Sequence, residues 1–160
     1  MGARGYFIAQ EGHVVNILPP VDITGGKLTQ PFSLANWAHA SIILQIGVSA
    51  AAFTKIILNA CTDVAGDNPV AIPFNLFAQE TAGTVNDVLG PRVAVPAAGY
   101  TPSGNDGIFY VLEVDANTLP AGSKYLQLDL TNGANSVIAS AVAILSAGRN
   151  ESDQSPTVCV

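Results

Sequence analysis

The chain has 160 residues, of which 49% are hydrophobic and only 11% are charged, whereas an ordinary globular domain carries roughly 25% charged residues. Its formal net charge of −6 argues against binding to nucleic acid, because a phosphate backbone would repel such a surface. The apolar runs at residues 42–53 and 137–147 fall far short of the roughly 20 residues that cross a bilayer. We therefore expect no membrane span.

The scarcity of charge predicts association with other subunits. A chain of this size exposes much of its surface when it is alone, and with so few charged side chains much of that surface must be neutral. Neutral, apolar exteriors mark partner surfaces. The first residues match neither a signal peptide nor a myristoylation pattern, so we expect synthesis in the cytoplasm.

Apolar and polar residues alternate through most of the chain. In residues 40–48, for example, Ile42 and Leu44 share one face, while Ser41 and Gln45 point the other way. A period of two is typical of β-strands. The pattern predicts eight strands, at residues 13–18, 29–34, 40–48, 54–61, 70–76, 108–115, 125–130 and 137–147.

Turn residues separate these segments and indicate the fold class. Pro19-Pro20 follows the first predicted strand, and Asn132-Gly133 predicts a tight hairpin between the last two. About eight short strands at this spacing predict an all-β fold, a two-sheet antiparallel sandwich of jelly-roll-like form. We expect one domain at residues 13–147, with an N-terminal arm at 1–12 and a polar C-terminal tail at 148–160.

No residue pattern points to chemistry. His13 and His39 have no histidine or carboxylate at metal-ligand spacing, and no serine lies in Gly-x-Ser-x-Gly. Glu113 and Asp115 share one strand face, where two acids are more often solvated than catalytic. We predict no catalytic, cofactor-binding or metal-binding residue and no enzyme activity. His39 is expected to make an edge or interface hydrogen bond. Trp37 is either a core residue or an interface anchor, and we favour the core.

The N-terminal arm is the main candidate for a partner contact. Arg4, Tyr6, Phe7 and Ile8 lie in an apolar aromatic stretch outside the strand pattern, and such a stretch requires a surface that covers it. It either folds back on its own sandwich or lies on a neighbouring subunit. Pro73 is the other candidate, because it cannot donate to a ladder and so indicates an edge strand or a bulge, where a partner strand can add.

Several short strings follow one another in an order that resembles a known family. An aliphatic strand ends in LPPVDITGG at residues 18–26, and FSLANWAHASIILQIGV follows at 32–48. IILNACTD at 56–63 and YVLEVD at 110–115 come next, before a leucine-rich strand, an Ala/Val strand and a polar tail. In this order residues 13–147 resemble the capsid decoration (cement) proteins encoded in the head-gene clusters of tailed bacteriophages.

The resemblance implies a structural role and a place in the virion. Proteins of this type are β-sandwiches that form homo-oligomers on the outside of an icosahedral head, and we expect a dimer or a trimer here. They clamp neighbouring major capsid subunits, need no cofactor and perform no chemistry. A carbohydrate-binding sandwich of a phage fibre or adhesin is the alternative, with Tyr100 and Tyr125 as sugar-stacking candidates. An enzyme on a jelly-roll scaffold is disfavoured by the missing ligand cluster and triad.

Overall fold

Apolar residues at every second position form two β-sheets, whose facing sides make the core. The computed structural model describes residues 5, 7–80, 88–104, 106–148 and 157. These residues contain a short helix, α1, at Ile8–Glu11 and a 3-10 turn at Ala116–Thr118. The strands are β1 His13–Asp22, β2 Lys27–Leu28, β3 Phe32–Ser33, β4 Trp37–Ser49, β5 Lys55–Cys61, β6 Val70–Ala71, β7 Phe74–Gln79, β8 Val93–Val95, β9 Ile108–Asp115, β10 Tyr125–Thr131 and β11 Val137–Gly148.

The strands pair in a nested order that defines a jelly roll. The six-stranded sheet has the order β1-β11-β4-β9-β7-β8, and the second sheet has the order β2-β10-β5-β6, with β3 also paired to β10. Thus β1 pairs with β11, β2 and β3 with β10, β4 with β9, and β5 with β6, all antiparallel. This is an antiparallel ribbon folded over on itself. The predicted two-sheet antiparallel sandwich is confirmed.

The core lies between the two sheets. Ile42 and Leu44 of β4 belong to one buried cluster with Leu58 of β5 and Leu128 of β10, and none of the four is exposed. Each such side chain stabilises the fold by roughly 1.5–3 kcal/mol relative to an exposed position. Trp37, at the start of β4, is also buried, as its sequence context predicts. None of the described residues forms a helix long and apolar enough to cross a membrane.

The first strand is longer than its sequence suggests. The sequence predicts that it ends before Pro19-Pro20, but β1 continues to Asp22. β1 is the outer strand of its sheet, and both prolines fall where its register with β11 shifts, between Leu18 and Val21. Because the ladder is already interrupted there, the missing amide donors are tolerated.

The predicted strand at 70–76 is in fact two strands in different sheets. β6 ends at Ala71 and lies at the edge of the second sheet, and β7 begins at Phe74 in the six-stranded sheet. The chain crosses between the sheets at Ile72 and Pro73, and Pro73 is exposed. A proline fits a crossing because no ladder needs its amide.

The predicted hairpin at Asn132-Gly133 is wrong. β10 and β11 lie in different sheets, so the segment between them is a crossing rather than a tight turn. The buried Asn132 holds this crossing, because its Nδ2 donates to the backbone oxygens of Ile23 at 3.2 Å and of Asn135 at 2.8 Å. The division of the chain into arm, sandwich and tail stays a prediction.

Candidate interaction surface

The outer face of the second sheet is mostly polar, with Leu28 and Ile57 on either side of Asp129 among its apolar residues. On this face Gln127 of β10 lies opposite Asn59 of β5, and Thr131 lies opposite Lys55. The turn at Gly66 packs against the Gln127 amide, since a Cβ placed on Gly66 would lie 3.1 Å from Gln127 Oε1. An antiparallel sheet with one face on the core and the other in water shows this pattern.

The outer face of the six-stranded sheet is apolar at its centre. Val142 of β11 lies opposite Ile43 of β4, which lies opposite Val111 of β9, which in turn lies opposite Phe77 of β7. Ile43 is 36% exposed, and the other three are half-buried. Four neighbouring strands thus place one unbroken line of apolar side chains outside the core. We call these four residues the apolar row.

Further apolar side chains flank the row on both sides. Ile144 of β11 and Val14 of β1 lie opposite each other on one side, and Val14 is 50% exposed. Phe109 of β9 lies on the other side, opposite Gln45. We call the apolar row with these three residues the apolar face. Contiguous exposed apolar surface of this kind is typical of a site for another protein.

A polar cluster borders the apolar face at one end. The pairing of β4 with β9 places His39 opposite Asp115 and Ser41 opposite Glu113. His39 Nδ1 lies 2.7 Å from Asp115 Oδ1, and His39 Nε2 lies 2.6 Å from Glu113 Oε2. Ser41 Oγ donates to the same Glu113 oxygen at 2.6 Å. We call these four residues the histidine cluster.

The two carboxylates favour the charged form of His39. Partial burial lowers the pKa of His39, but the hydrogen bonds from its ring to Asp115 and Glu113 raise it by more, so the pKa lies above its ordinary value of 6.5. In the imidazolium both ring nitrogens donate, one to each carboxylate. The histidine cluster therefore acts as an ion-pair network that links β4 to β9.

This geometry does not suit nucleophilic catalysis or metal binding. Ser41 donates to the Glu113 carboxylate rather than to the His39 ring, so the serine–histidine–carboxylate order of a catalytic triad is not present in these four residues. Both ring nitrogens of His39 already face carboxylates on opposite sides. Among the described residues, no group of three or more His, Cys, Asp or Glu side chains could hold a metal ion.

The histidine cluster differs from what the sequence predicts. The expected hydrogen bond of His39 exists, but it is made within the chain and on an inner strand, not at an edge. Glu113 and Asp115, which the sequence pattern presents as solvated acids, are its partners. The sequence does contain a signal for this cluster. His39 and Ser41 are two residues apart on one predicted strand, Glu113 and Asp115 are two residues apart on another, and each pair therefore shares one face of its strand.

Of the predicted contact residues, the structure describes Phe7, Ile8 and Pro73. Phe7 and Ile8 are 53% and 42% exposed, and α1, which Ile8 begins, contacts β1 and β11 of its own sandwich. Arg4 and Tyr6 lie outside the described residues. Pro73 is exposed in the crossing between β6 and β7. A contact of these residues with a partner stays a prediction.

A second polar cluster fixes the segment before β9. Glu80 Oε1 accepts hydrogen bonds at 3.0 Å from the hydroxyls of Tyr100 and Tyr110 and from the backbone amide of Ser103, and Ser103 Oγ donates to Glu80 Oε2. Burial raises the pKa of Glu80, but these hydrogen bonds lower it by more, to below its ordinary value. Burial, together with Glu80, raises the pKa of Tyr100 to about 12.

The two tyrosines considered for sugar stacking do not share a surface. Tyr100 bridges to Ile56, a core residue of β5, and packs against the core with its hydroxyl on Glu80. Tyr125 lies opposite Cys61 of β5. Cys61 is an odd number of residues from the inward-pointing Ile56, so Cys61 and Tyr125 point to the outer side of the sheet. The structure therefore does not bring these two rings together as one aromatic platform.

Comparison with known proteins finds little similarity. No protein-family model matches the chain, and no curated protein matches it. Among solved structures, the chain resembles the SPBc2 prophage-derived protein YomS, with 11% sequence identity and a TM-score of 0.45. The matched region covers 84% of this chain and 93% of that one. YomS comes from a prophage, and a likeness at this level supports no conclusion about what this chain does.

Proposed function

We propose that the protein is a structural subunit of a tailed-bacteriophage virion. In this proposal it is a decoration protein that binds the outside of an icosahedral head and stabilises the contacts between major capsid subunits. The contrast between the mostly polar outer face of one sheet and the apolar face of the other supports a role in assembly. The resemblance of residues 13–147 to decoration proteins supports the phage head as the target.

The composition of the chain suits such a role. An interface with few lysines and glutamates costs less to desolvate than a highly charged one. Only 11% of the residues of this chain are charged. A protein that binds the assembled lattice and not its free subunits stabilises the lattice by mass action. Several weak contacts per oligomer then add up through effective concentration.

The proposed role involves binding and no reaction. The four residues of the histidine cluster hydrogen-bond to one another and so link β4 to β9. Glu80 likewise ties the segment that contains Tyr100 and Ser103 to Tyr110 of β9. Both clusters hold strands and loops together, as a rigid structural subunit requires.

Co-sedimentation with capsid shells tests this proposal. Shells of a phage that carries this gene, purified without the protein, are mixed with it and pelleted, and dissociated capsid subunits serve as the control. We expect saturable binding to shells, little binding to free subunits, and a higher melting temperature of the decorated shells. Absence of shell binding would contradict the proposal, and selective binding on a glycan array would favour the carbohydrate-binding alternative.

Removal of residues 1–8 in the same assay tests the N-terminal arm. If Arg4, Tyr6, Phe7 and Ile8 contact the lattice, the truncated chain binds shells more weakly. Thermal unfolding checks that the sandwich still folds without the first residue of α1. Unchanged shell binding would show that the arm makes no energetically important contact with the capsid.

A further inference from the structure

We infer that the apolar face is the contact between two copies of this chain, which pack sheet against sheet about a two-fold axis. The dimer goes beyond the proposed function, because its formation does not depend on a phage head as the target. The inference rests on the size of the face, its pleated shape and the placement of its charges.

The size of the face meets the lower requirement for a specific dimer. Five neighbouring strands, from β1 to β7, contribute to it, and at about 4.8 Å between strands they span roughly 20–24 Å. The apolar face occupies three lines of side chains, and Ile138 of β11, which is 37% exposed, extends it by a fourth line on the side of Phe109. Four lines, two residues apart, span roughly 20–26 Å along the strands. Each copy thus offers on the order of 500–600 Å², and a pair would bury about 1,000–1,200 Å², near the lower limit of specific interfaces.

The shape of the face suits a second sheet. Side chains on a pleated sheet stand in regular lines, and two such faces interdigitate at about 10 Å, as in the core of a sandwich. The apolar row carries no charged or hydrogen-bonding side chain, so it has no group that would select a foreign polar partner. A second copy carries an apolar face of the same shape and dimensions, and it is available in every cell that makes the protein. A two-fold axis makes one patch complementary to itself.

The charges favour one orientation of the axis. Glu113 and Asp115 lie together at one end of the apolar face, whereas the line of Gln45 on the other side of the apolar row carries no carboxylate. The next carboxylate on that side, Asp22, lies on the outer strand β1, opposite Ile138. An axis parallel to the strands would place the acidic ends of both copies together, which like charges disfavour. An axis along the apolar row instead places the line of Ser41 and Glu113 over the line of Gln45 in the second copy. The two apolar rows then meet at the centre.

The substitution Ile43→Lys tests the interface. Ile43 lies in the middle of the apolar row and is 36% exposed in the single chain, so a lysine there can reach water in the monomer but is buried in the dimer. Leu28→Lys is the matched control, because Leu28 is a 53% exposed apolar strand residue on the other sheet. Light scattering and sedimentation equilibrium measure the mass, and thermal unfolding at low concentration checks that both variants fold.

The expected results separate this inference from the proposed function. At about 100 µM, a concentration at which a dimer with a dissociation constant of about 1 µM is mostly formed, the wild-type mass should be twice 16.4 kDa. Ile43→Lys should raise the dimer dissociation constant at least about tenfold, whereas Leu28→Lys should not change it. A monomeric wild type, or equal dimerisation of both variants, would overturn the inference. Shell binding by a wild type that stays monomeric would overturn the dimer and leave the decoration role standing. A wild type that forms the dimer but binds no shell would support the dimer and contradict the decoration role.

Discussion

His39 lies between two carboxylates, and its protonation decides how strongly β4 is linked to β9. With the imidazolium present, both ring nitrogens donate charge-assisted hydrogen bonds, to Asp115 at 2.7 Å and to Glu113 at 2.6 Å. The neutral ring has only one N–H and must leave one carboxylate without a donor. The link is therefore stronger in the protonated state.

The stability of the fold should depend on the pH through His39. Its pKa is raised above the ordinary value of 6.5 in the folded chain, so its contribution is complete below 6.5 and is lost as the pH rises through the raised pKa. We expect the free-energy advantage of the wild type over His39→Gln to shrink across that window. Urea unfolding at a series of pH values measures this difference, and NMR titration of the His39 ring measures its pKa.

Ser41→Ala is the control for this titration. It removes the hydroxyl that donates to Glu113 at 2.6 Å but leaves both contacts of the His39 ring in place. The pH dependence of its stability should therefore parallel that of the wild type. A ring pKa of His39 at or below 6.5 would contradict the ion-pair interpretation, as would a constant offset between wild type and His39→Gln at every pH.

At the level of elements, alternation locates the strands, and tertiary pairing decides the rest. The sequence predicts a strand at residues 108–115, and β9 has the same bounds, because inward residues such as Tyr110 and Leu112 are fully buried. The break at Ile72 and Pro73 is not predicted, since the apolar parity continues across it although the chain changes sheets. Local periodicity reports which residues are buried and not the sheet to which they belong.

The segment 88–104 is held to β5 by a close backbone contact at Gly99. Next to it, Tyr100 and Ile56 exchange backbone hydrogen bonds of 2.8 and 2.9 Å. Gly99 has a φ of +89°, and a Cβ there would lie 2.5 Å from the Ile56 carbonyl oxygen and 2.8 Å from Ile57 Cγ1. The backbone of this segment therefore approaches β5 more closely than any side chain would permit.

Gly99→Ala should destabilise the fold through this contact. The positive φ alone costs an alanine about 1–2 kcal/mol, and the clash with Ile56 adds about 1–3 kcal/mol because backbone must move. Gly122 provides the control, since its φ is +88° and nothing lies within 4 Å of the position that a Cβ would take there. We expect Gly122→Ala to show the backbone cost alone when urea unfolding of both variants is compared. Equal losses would show that the segment does not press on β5.

At the scale of the whole molecule, the composition predicts an assembly surface but not its position. The outward residues of the six-stranded sheet include Ile43 and Val111, and both are visible in the sequence as apolar residues of the wrong parity. They cannot be distinguished from core residues, because apolar side chains occupy both parities of these strands and only the sheet order shows which face is covered. The sequence therefore predicts the contact at the N-terminal arm, an apolar segment outside the strand pattern.

The response of the dimer to salt should identify the force that holds it. Each copy brings a net charge of −6, so repulsion between copies opposes association at low ionic strength and is screened as salt is added. Contacts between apolar faces lose nothing by this screening, and sulfate strengthens them further. We expect the dimer dissociation constant, measured by sedimentation equilibrium, to fall between about 0.05 M and about 0.5 M sodium chloride. Sodium sulfate of matched ionic strength should lower it more. A dissociation constant that rises with salt would mean that ion pairs hold the two copies together. In that case Ile43→Lys would raise the dissociation constant less than would the removal of Glu113 or Asp115 from the histidine cluster.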